Sequence, residues 1–270
     1  MTRLNPALYD VATLVPPAPL RHWTLQAAWA GTEAEVQAAQ ALRYQVFVGE
    51  LGAALPPAAM ASALDTDRFD AFCDHLLVWA CDPQDRAARV LVGTYRVLPP
   101  AAARRTGGLY ADQEFDMSPL DSLRSRMIEL GRACVHPDWR SGGVILTLWS
   151  ALGRYMLDHG FESMVGCASV GLADGGQFAM ALWDTLRTSY LADPRWQVEP
   201  RTPLPLRRRG PAAAPVPLRS MPPLIKGYLR GGAVVLGPPA YDRHFHTADL
   251  PILMRTADLA PRYRAQFMRC

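Results

Sequence analysis

The stretch from Met127 to Leu157 constrains this chain more than any other. An apolar run, Met127 to Val135, stops at His136-Pro137-Asp138. Ser141-Gly142-Gly143 then opens a segment, running to Leu157, in which apolar residues recur at helical spacing. Proline cannot donate to a sheet ladder and paired glycines free the backbone, so the segment reads as strand, tight turn, helix. The first turn of such a helix offers backbone N–H groups that have no intrahelical partner, a natural seat for an anion such as phosphate. A chain built around this unit is expected to be α/β, with a ligand at the turn.

The remaining segments extend the pattern. His22 to Ala30 reads as a strand. Thr32 is a plausible N-cap with Glu35 three residues on, and Val36, Ala39, Leu42, Val46 and Phe47 continue a helix that ends near Gly49 to Gly52. His75 to Cys81 and Arg89 to Leu98, parted by Asp82-Pro83-Gln84, predict an antiparallel hairpin. Phe161 to Val170 returns as a strand, and Gln177 to Tyr190 is a helix after the turn Asp174-Gly175-Gly176. Alternation of this kind predicts a single domain with a mixed central sheet flanked by helices. Residues 1–21 form a proline-rich lead and 22–200 the core. Residues 201–221 are a loop rich in proline and arginine, including Arg207-Arg208-Arg209. Residues 222–270 add a short helix, closing strands and a terminal helix to the same domain.

Composition closes several alternatives. At 270 residues, half of them hydrophobic and 20% charged, the chain can bury a full core. A net charge of +3 is too small to make nucleic acid the expected partner. No apolar run approaches the roughly 20 residues of a membrane span, and the first residues lack a basic segment followed by an apolar one, so a cytoplasmic location is expected. Cys73, Cys81, Cys134, Cys167 and Cys270 contain no C-x-x-C pair and read as free thiols. Cys167, in an apolar strand, is expected to be a small core residue rather than a nucleophile. His244 and His246 beside Asp242 and Asp249 lack a third spaced ligand, so no metal is expected.

The run Val135-His136-Pro137-Asp138-Trp139-Arg140-Ser141-Gly142 resembles the coenzyme-binding motif of the GCN5-related N-acetyltransferase fold. In that family the loop cradles the pyrophosphate of coenzyme A. Here the usual R-x-x-G-x-G/A spacing becomes Arg140-Ser141-Gly142-Gly143-Val144-Ile145, which resembles the branch that takes its acyl group from acyl carrier protein. That donor brings its own 4'-phosphopantetheine, and the resemblance implies no resident cofactor. Val135, Arg140, Ser141, Gly142 and Gly143 are the implied donor-binding residues. Lys226, the lone lysine of an arginine-rich chain, joins them as a compact cation.

Upstream, Arg43, Asp67 with Asp70, Arg96, and Glu129 with Arg132 fall in the order of the acyl-homoserine-lactone synthase layout. Four further stretches are similar to the ornithine N-alpha-acyltransferases and to related hemolysin-like acyltransferases: Cys73 to Val78, Gly166 to Ser169, Pro222 to Arg230 and Asp242 to Asp249. The resemblance implies transfer of a 3-hydroxy fatty acyl group from acyl carrier protein to the α-amine of L-ornithine, the first step of ornithine lipid synthesis, with peripheral contact at the inner membrane. Two other readings stay open: the same chemistry on another acceptor, homoserine-lactone synthesis included, and an acyl-chain or membrane-binding protein without catalysis.

The chemistry asks for a base, because only a free amine attacks a thioester. Glu129 is the candidate, acting directly or through a water, with Arg96 and Arg132 orienting carboxylates. Arg43, Asp67 and Asp70 are the candidate acceptor-binding group, the two carboxylates taking the cationic end of the acceptor. Glu129 and Arg132 are three apart and would face opposite sides of a regular strand, so a bulge is predicted at Gly131.

Overall fold

A computed structural model describes residues 23–85, 87–205, 215–261 and 263–264. The proline-rich lead, the Arg207-Arg208-Arg209 run and the last residues of the expected terminal helix lie outside them.

An eight-stranded sheet organises the chain. Its first strand, β1 (Thr24–Trp29), leads into helix α1 (Glu33–Tyr44), where the Thr32 side chain accepts from the Glu35 N–H as an N-cap should. The helix runs on through a π-helical turn, Gln45–Glu50. A short helix α2 (Pro57–Ser62) follows inside the alanine- and proline-rich stretch expected to be loop; Pro57, at its first position, gives up an N–H that a helix start leaves unpaired anyway.

Strands β2 (Asp74–Cys81) and β3 (Arg89–Leu98) form the predicted hairpin. Residues 99–126, where periodicity predicts no element, hold helix α3 (Pro100–Arg105), several 3-10 turns and the short strand β4 (Phe115–Asp116). The central unit is β5 (Met127–Val135) and α4 (Gly143–His159), followed by β6 (Ser163–Gly171) and α5 (Gln177–Ser189). Strand β7 (Glu199–Pro200) pairs with β4 in a small second sheet. The chain closes with α6 (Pro223–Gly231), β8 (Val234–Val235), β9 (Ala240–Asp242) and β10 (Thr247–Arg255).

The strands lie in the order β1-β2-β3-β5-β6-β10-β8, with β9 also on β10. All neighbours are antiparallel except β5 and β6. That parallel pair is short, since its register covers only Met127 to Glu129 against Ser163 to Val165. On its other edge β5 stays with β3 as far as Val135. Beyond Glu129, β5 and β6 therefore part, and the sheet opens as a wedge. At the hinge of the wedge a Cβ on Gly166 would stand 2.4 Å from the Leu130 carbonyl oxygen, so only glycine permits that approach.

Between Thr94 and Arg96 of β3 the register shifts, so that Arg132 and Ala133 of β5 oppose Tyr95 alone. This is a β-bulge, one residue on from the predicted Gly131. Arg132 occupies it with φ 52°, a left-handed conformation costly for an arginine and worth about 1–3 kcal/mol of strain. By inserting one residue, the bulge turns Arg132 to the face that Glu129 already occupies.

The apolar face of α4, including Val144, Leu148, Leu152 and Met156, packs on the sheet. Helix α6 packs on α4 where Gly227 meets the Trp149 ring, and this contact carries Tyr228 to the Tyr95 hydroxyl.

Candidate active site

The wedge holds a cavity of about 740 Å³, whose wall includes Glu129, Gly131, Arg132 and Arg96 together with apolar Leu98, Leu130, Val170, Leu172, Phe178 and Leu224. A smaller hollow of about 50 Å³ continues between β5, β6 and α6, against Tyr228 and Met254. An apolar space with a few convergent polar groups is the usual form of a small-molecule site.

Glu129 is the most unusually placed carboxyl. It is 5% exposed, and its two oxygens accept the backbone N–H groups of Tyr110, at 2.6 Å, and Ala111, at 2.7 Å. Burial pushes its pKa up to about 7, against the pull of those two N–H groups and of the Arg96 charge. A carboxylate poised near neutrality inside a cavity can accept and release a proton at physiological pH. Tyr110 and Ala111 come from residues 99–126, and no local pattern marks them as partners of Glu129.

Six charged groups form a closed ring behind this carboxyl. Arg43 donates to Asp65 at 2.7 Å and to Asp70 at 2.8 Å. Arg96 donates to Asp67 at 2.7 Å and to Asp70 at 3.3 Å. Arg132 donates to Asp65 and to Asp67, both at 3.2 Å. Each aspartate thus bridges two arginines and each arginine two aspartates. Burial alone would raise the Asp67 carboxyl, but Arg96 and Arg132 outweigh it and hold it below the usual range.

The residues expected to bind the acceptor, Arg43, Asp67 and Asp70, all belong to this ring. Arg43 is 0% exposed, and neither it nor Asp67 nor Asp70 belongs to the cavity wall. In this ring their charges are met by one another and by Asp65, Arg96 and Arg132, and the aspartates fix Arg96 and Arg132 at the wall. Asp65, which completes the ring, was not singled out in the sequence; its only local signal is its place two residues before Asp67.

The expected donor-binding residues lie at the far end of β5. Gly142 caps α4 with φ 98°, leaving the first N–H groups of a 17-residue helix open to an anion. Arg140 reaches back to the Val135 carbonyl at 3.2 Å and forks onto Glu50 at 2.5 and 2.7 Å. Ser141 is exposed beside it. Lys226 sits half-buried on α6 and lines neither hollow. Cys167 does line the cavity, with its thiol pushed well up by burial and by neighbouring carboxylates, so it is protonated and unsuited to nucleophilic attack.

A parted β5–β6 pair, a helix N-terminus beyond it and a buried carboxyl in the opening mark an N-acyltransferase of the GCN5-related fold. The acetyltransferase (GNAT) domain family matches residues 42–150. The chain belongs to the L-ornithine N(alpha)-acyltransferase family. It is 38% identical over 248 residues to the Rhizobium meliloti enzyme of that name, covering 88% of this chain and 82% of that one. To the Rhodobacter capsulatus enzyme it is 39% identical, over 87% and 91%. Among solved structures it is similar to FeeM, an N-acyl amino acid synthase from uncultured soil microbes, with 12% identity, coverage of 91% and 95% and a TM-score of 0.48. It is likewise similar to the AHL synthase LasI, with 13% identity, coverage of 92% and 95% and a TM-score of 0.46. Among the described residues no helix is long and apolar enough to cross a membrane.

Proposed function

We propose that this enzyme transfers a fatty acyl group, a 3-hydroxyacyl group by resemblance, from acyl carrier protein to the α-amine of L-ornithine, giving lyso-ornithine lipid. The observation that carries the reading is Glu129, a buried carboxyl poised near neutrality in a largely apolar cavity, in a chain related over most of its length to L-ornithine N(alpha)-acyltransferases.

In this reading the pantetheine arm enters through the wedge between β5 and β6, its phosphodiester at the α4 N-terminus near Arg140, Ser141, Gly142 and Gly143, with Lys226 on the flank. The thioester carbonyl lies by the bulge, where backbone N–H groups of β5 no longer face a β6 partner and can meet the developing oxyanion. Glu129 takes a proton from the ornithine α-ammonium, and the freed amine forms the C–N bond. The C–S bond breaks as the tetrahedral intermediate collapses, and the carrier thiol leaves with the second amine proton. Arg96 and Arg132 face the acceptor's carboxylate across the cavity. Binding both substrates in one cavity supplies much of the acceleration, and the apolar lining takes the acyl chain. Substrates drawn from carrier protein and the amino-acid pool place the enzyme in the cytoplasm, touching the inner membrane when the product leaves.

The test incubates purified protein with 3-hydroxyacyl carrier protein or the matching acyl coenzyme A, and with ornithine, lysine, glutamine, glycine or homoserine derivatives, reading acyl amides by mass spectrometry. Carrier-dependent acyl-ornithine is expected. Equal use of coenzyme A would overturn the donor, and a different preferred acceptor would overturn ornithine.

A further inference from the structure

One end of the same cavity is acidic in a way that the ring of ion pairs is not. Asp242 and Asp249 line it at 8% and 3% exposure, and Glu114 stands behind them. Acceptor atoms of Glu114, Cys167 and Asp249 lie within 4.8 Å of one another. The three carboxylates arrive from separate places: Glu114 from just before β4, Asp242 from β9, and Asp249 from β10, opposite Ser169 of β6.

Among the described residues no ion pair reaches Glu114, Asp242 or Asp249. Their partners are neutral: the Tyr110 hydroxyl and the His244 and Phe245 N–H groups on Asp242, and the Thr247 and Ser169 hydroxyls on Asp249. Arg132, whose charge reaches Asp249, is already engaged by Asp65 and Asp67. Glu114 Oε2 is sealed from solvent and has no well-aligned donor; its neighbours there, the Cys167 thiol and the Tyr110 hydroxyl, are neutral, so a cationic donor would satisfy it better. Burial, and after it the nearby carboxylates, raise both Glu114 and Asp249, as expected of acidic groups left without a cation.

Distance ties this cluster to the base. Tyr110 gives its backbone N–H to Glu129 and its hydroxyl to Asp242. The span from a tyrosine nitrogen to its hydroxyl is comparable to that from the α-nitrogen to the δ-nitrogen of an extended ornithine. An acceptor with its α-amine at Glu129 would lay its side chain along Tyr110 and end among the three carboxylates.

We propose that Glu114, Asp242 and Asp249 bind the side-chain ammonium of the acceptor and so select a diamino acid over a neutral one of the same length. The inference rests on the proposed N-acylation and adds its specificity determinant. Cys167 beside Glu114 and Asp249 would also suit a divalent metal ion; the ammonium is favoured because the cluster opens on the cavity that holds Glu129.

The test measures kcat/KM for ornithine and for norvaline, which lacks only the terminal amine, in the wild type and in Glu114→Gln and Asp249→Asn. The wild type should prefer ornithine by at least about tenfold, the effect of one charge-assisted hydrogen bond, and each substitution should collapse that preference, mainly through KM for ornithine. Equal wild-type use of the two acceptors would overturn this inference alone, and needs no variant to fold. An unchanged ratio in both variants would also overturn it, as would activity lost on dialysis against a chelator and restored by Zn²⁺. No amide from any amino acid would overturn the parent reading, and this one with it.

Discussion

Replacing Glu129 by glutamine separates the chemistry from the fold. The carboxyl is raised from 4.5 to about 7, so the folded protein holds this proton more tightly than the unfolded chain does. The contribution of this group to stability is therefore most favourable below pH 4.5, falls as the pH rises to about 7, and levels off beyond at a cost of about 3 kcal/mol. Glutamine removes that cost, but its NH₂ must face one of the two N–H groups of Tyr110 and Ala111, which leaves a buried donor unmet at about 1–3 kcal/mol. The two effects nearly cancel at pH 8. E129Q should unfold in urea within about 2 kcal/mol of wild type there, and acyl transfer should fall by about 10²–10⁴-fold for want of a base. Wild-type kcat/KM should rise with pH and lose its dependence on this group above about 7. The acceptor amine titrates in both proteins, so the ratio of the two pH profiles isolates Glu129. A variant within tenfold of wild type, or a ratio that stays flat across pH 7, would refute its role as the base.

Asp65→Asn should destabilise the protein by about 3–5 kcal/mol in denaturant titrations, because Arg43 and Arg132 each lose a carboxylate in a buried ring. Gly166→Ala sets a methyl 2.4 Å from the rigid Leu130 carbonyl, so a loss of at least about 2 kcal/mol is expected, with a parallel fall in acyl-transfer rate as the wedge shifts. Gly227→Ala places a Cβ 2.1 Å from the Trp149 ring and should cost about 1–3 kcal/mol while loosening α6, read as faster amide hydrogen exchange in residues 223–231.

Much of this was legible in the residues. The strand and helix of Met127–Leu157, the Thr32 cap and the β2–β3 hairpin are local patterns, set by side-chain periodicity and turn chemistry within a few residues. The need for a bulge followed from Glu129 and Arg132 alone, since three residues along a strand cannot face the same way. Tertiary structure decided the rest. The donors that hold Glu129 come from residues 99–126, whose short turns have no period to read. Arg43, Asp67 and Asp70 look in sequence like free charges available to a substrate; only the fold shows them neutralised by Asp65, Arg96 and Arg132. The acidic end of the cavity joins Glu114, from the turn before β4, to Asp242 and Asp249, from strands more than a hundred residues further along the chain. A residue's type and neighbours determine the element it joins, while its charge partners depend on which elements the sheet brings side by side.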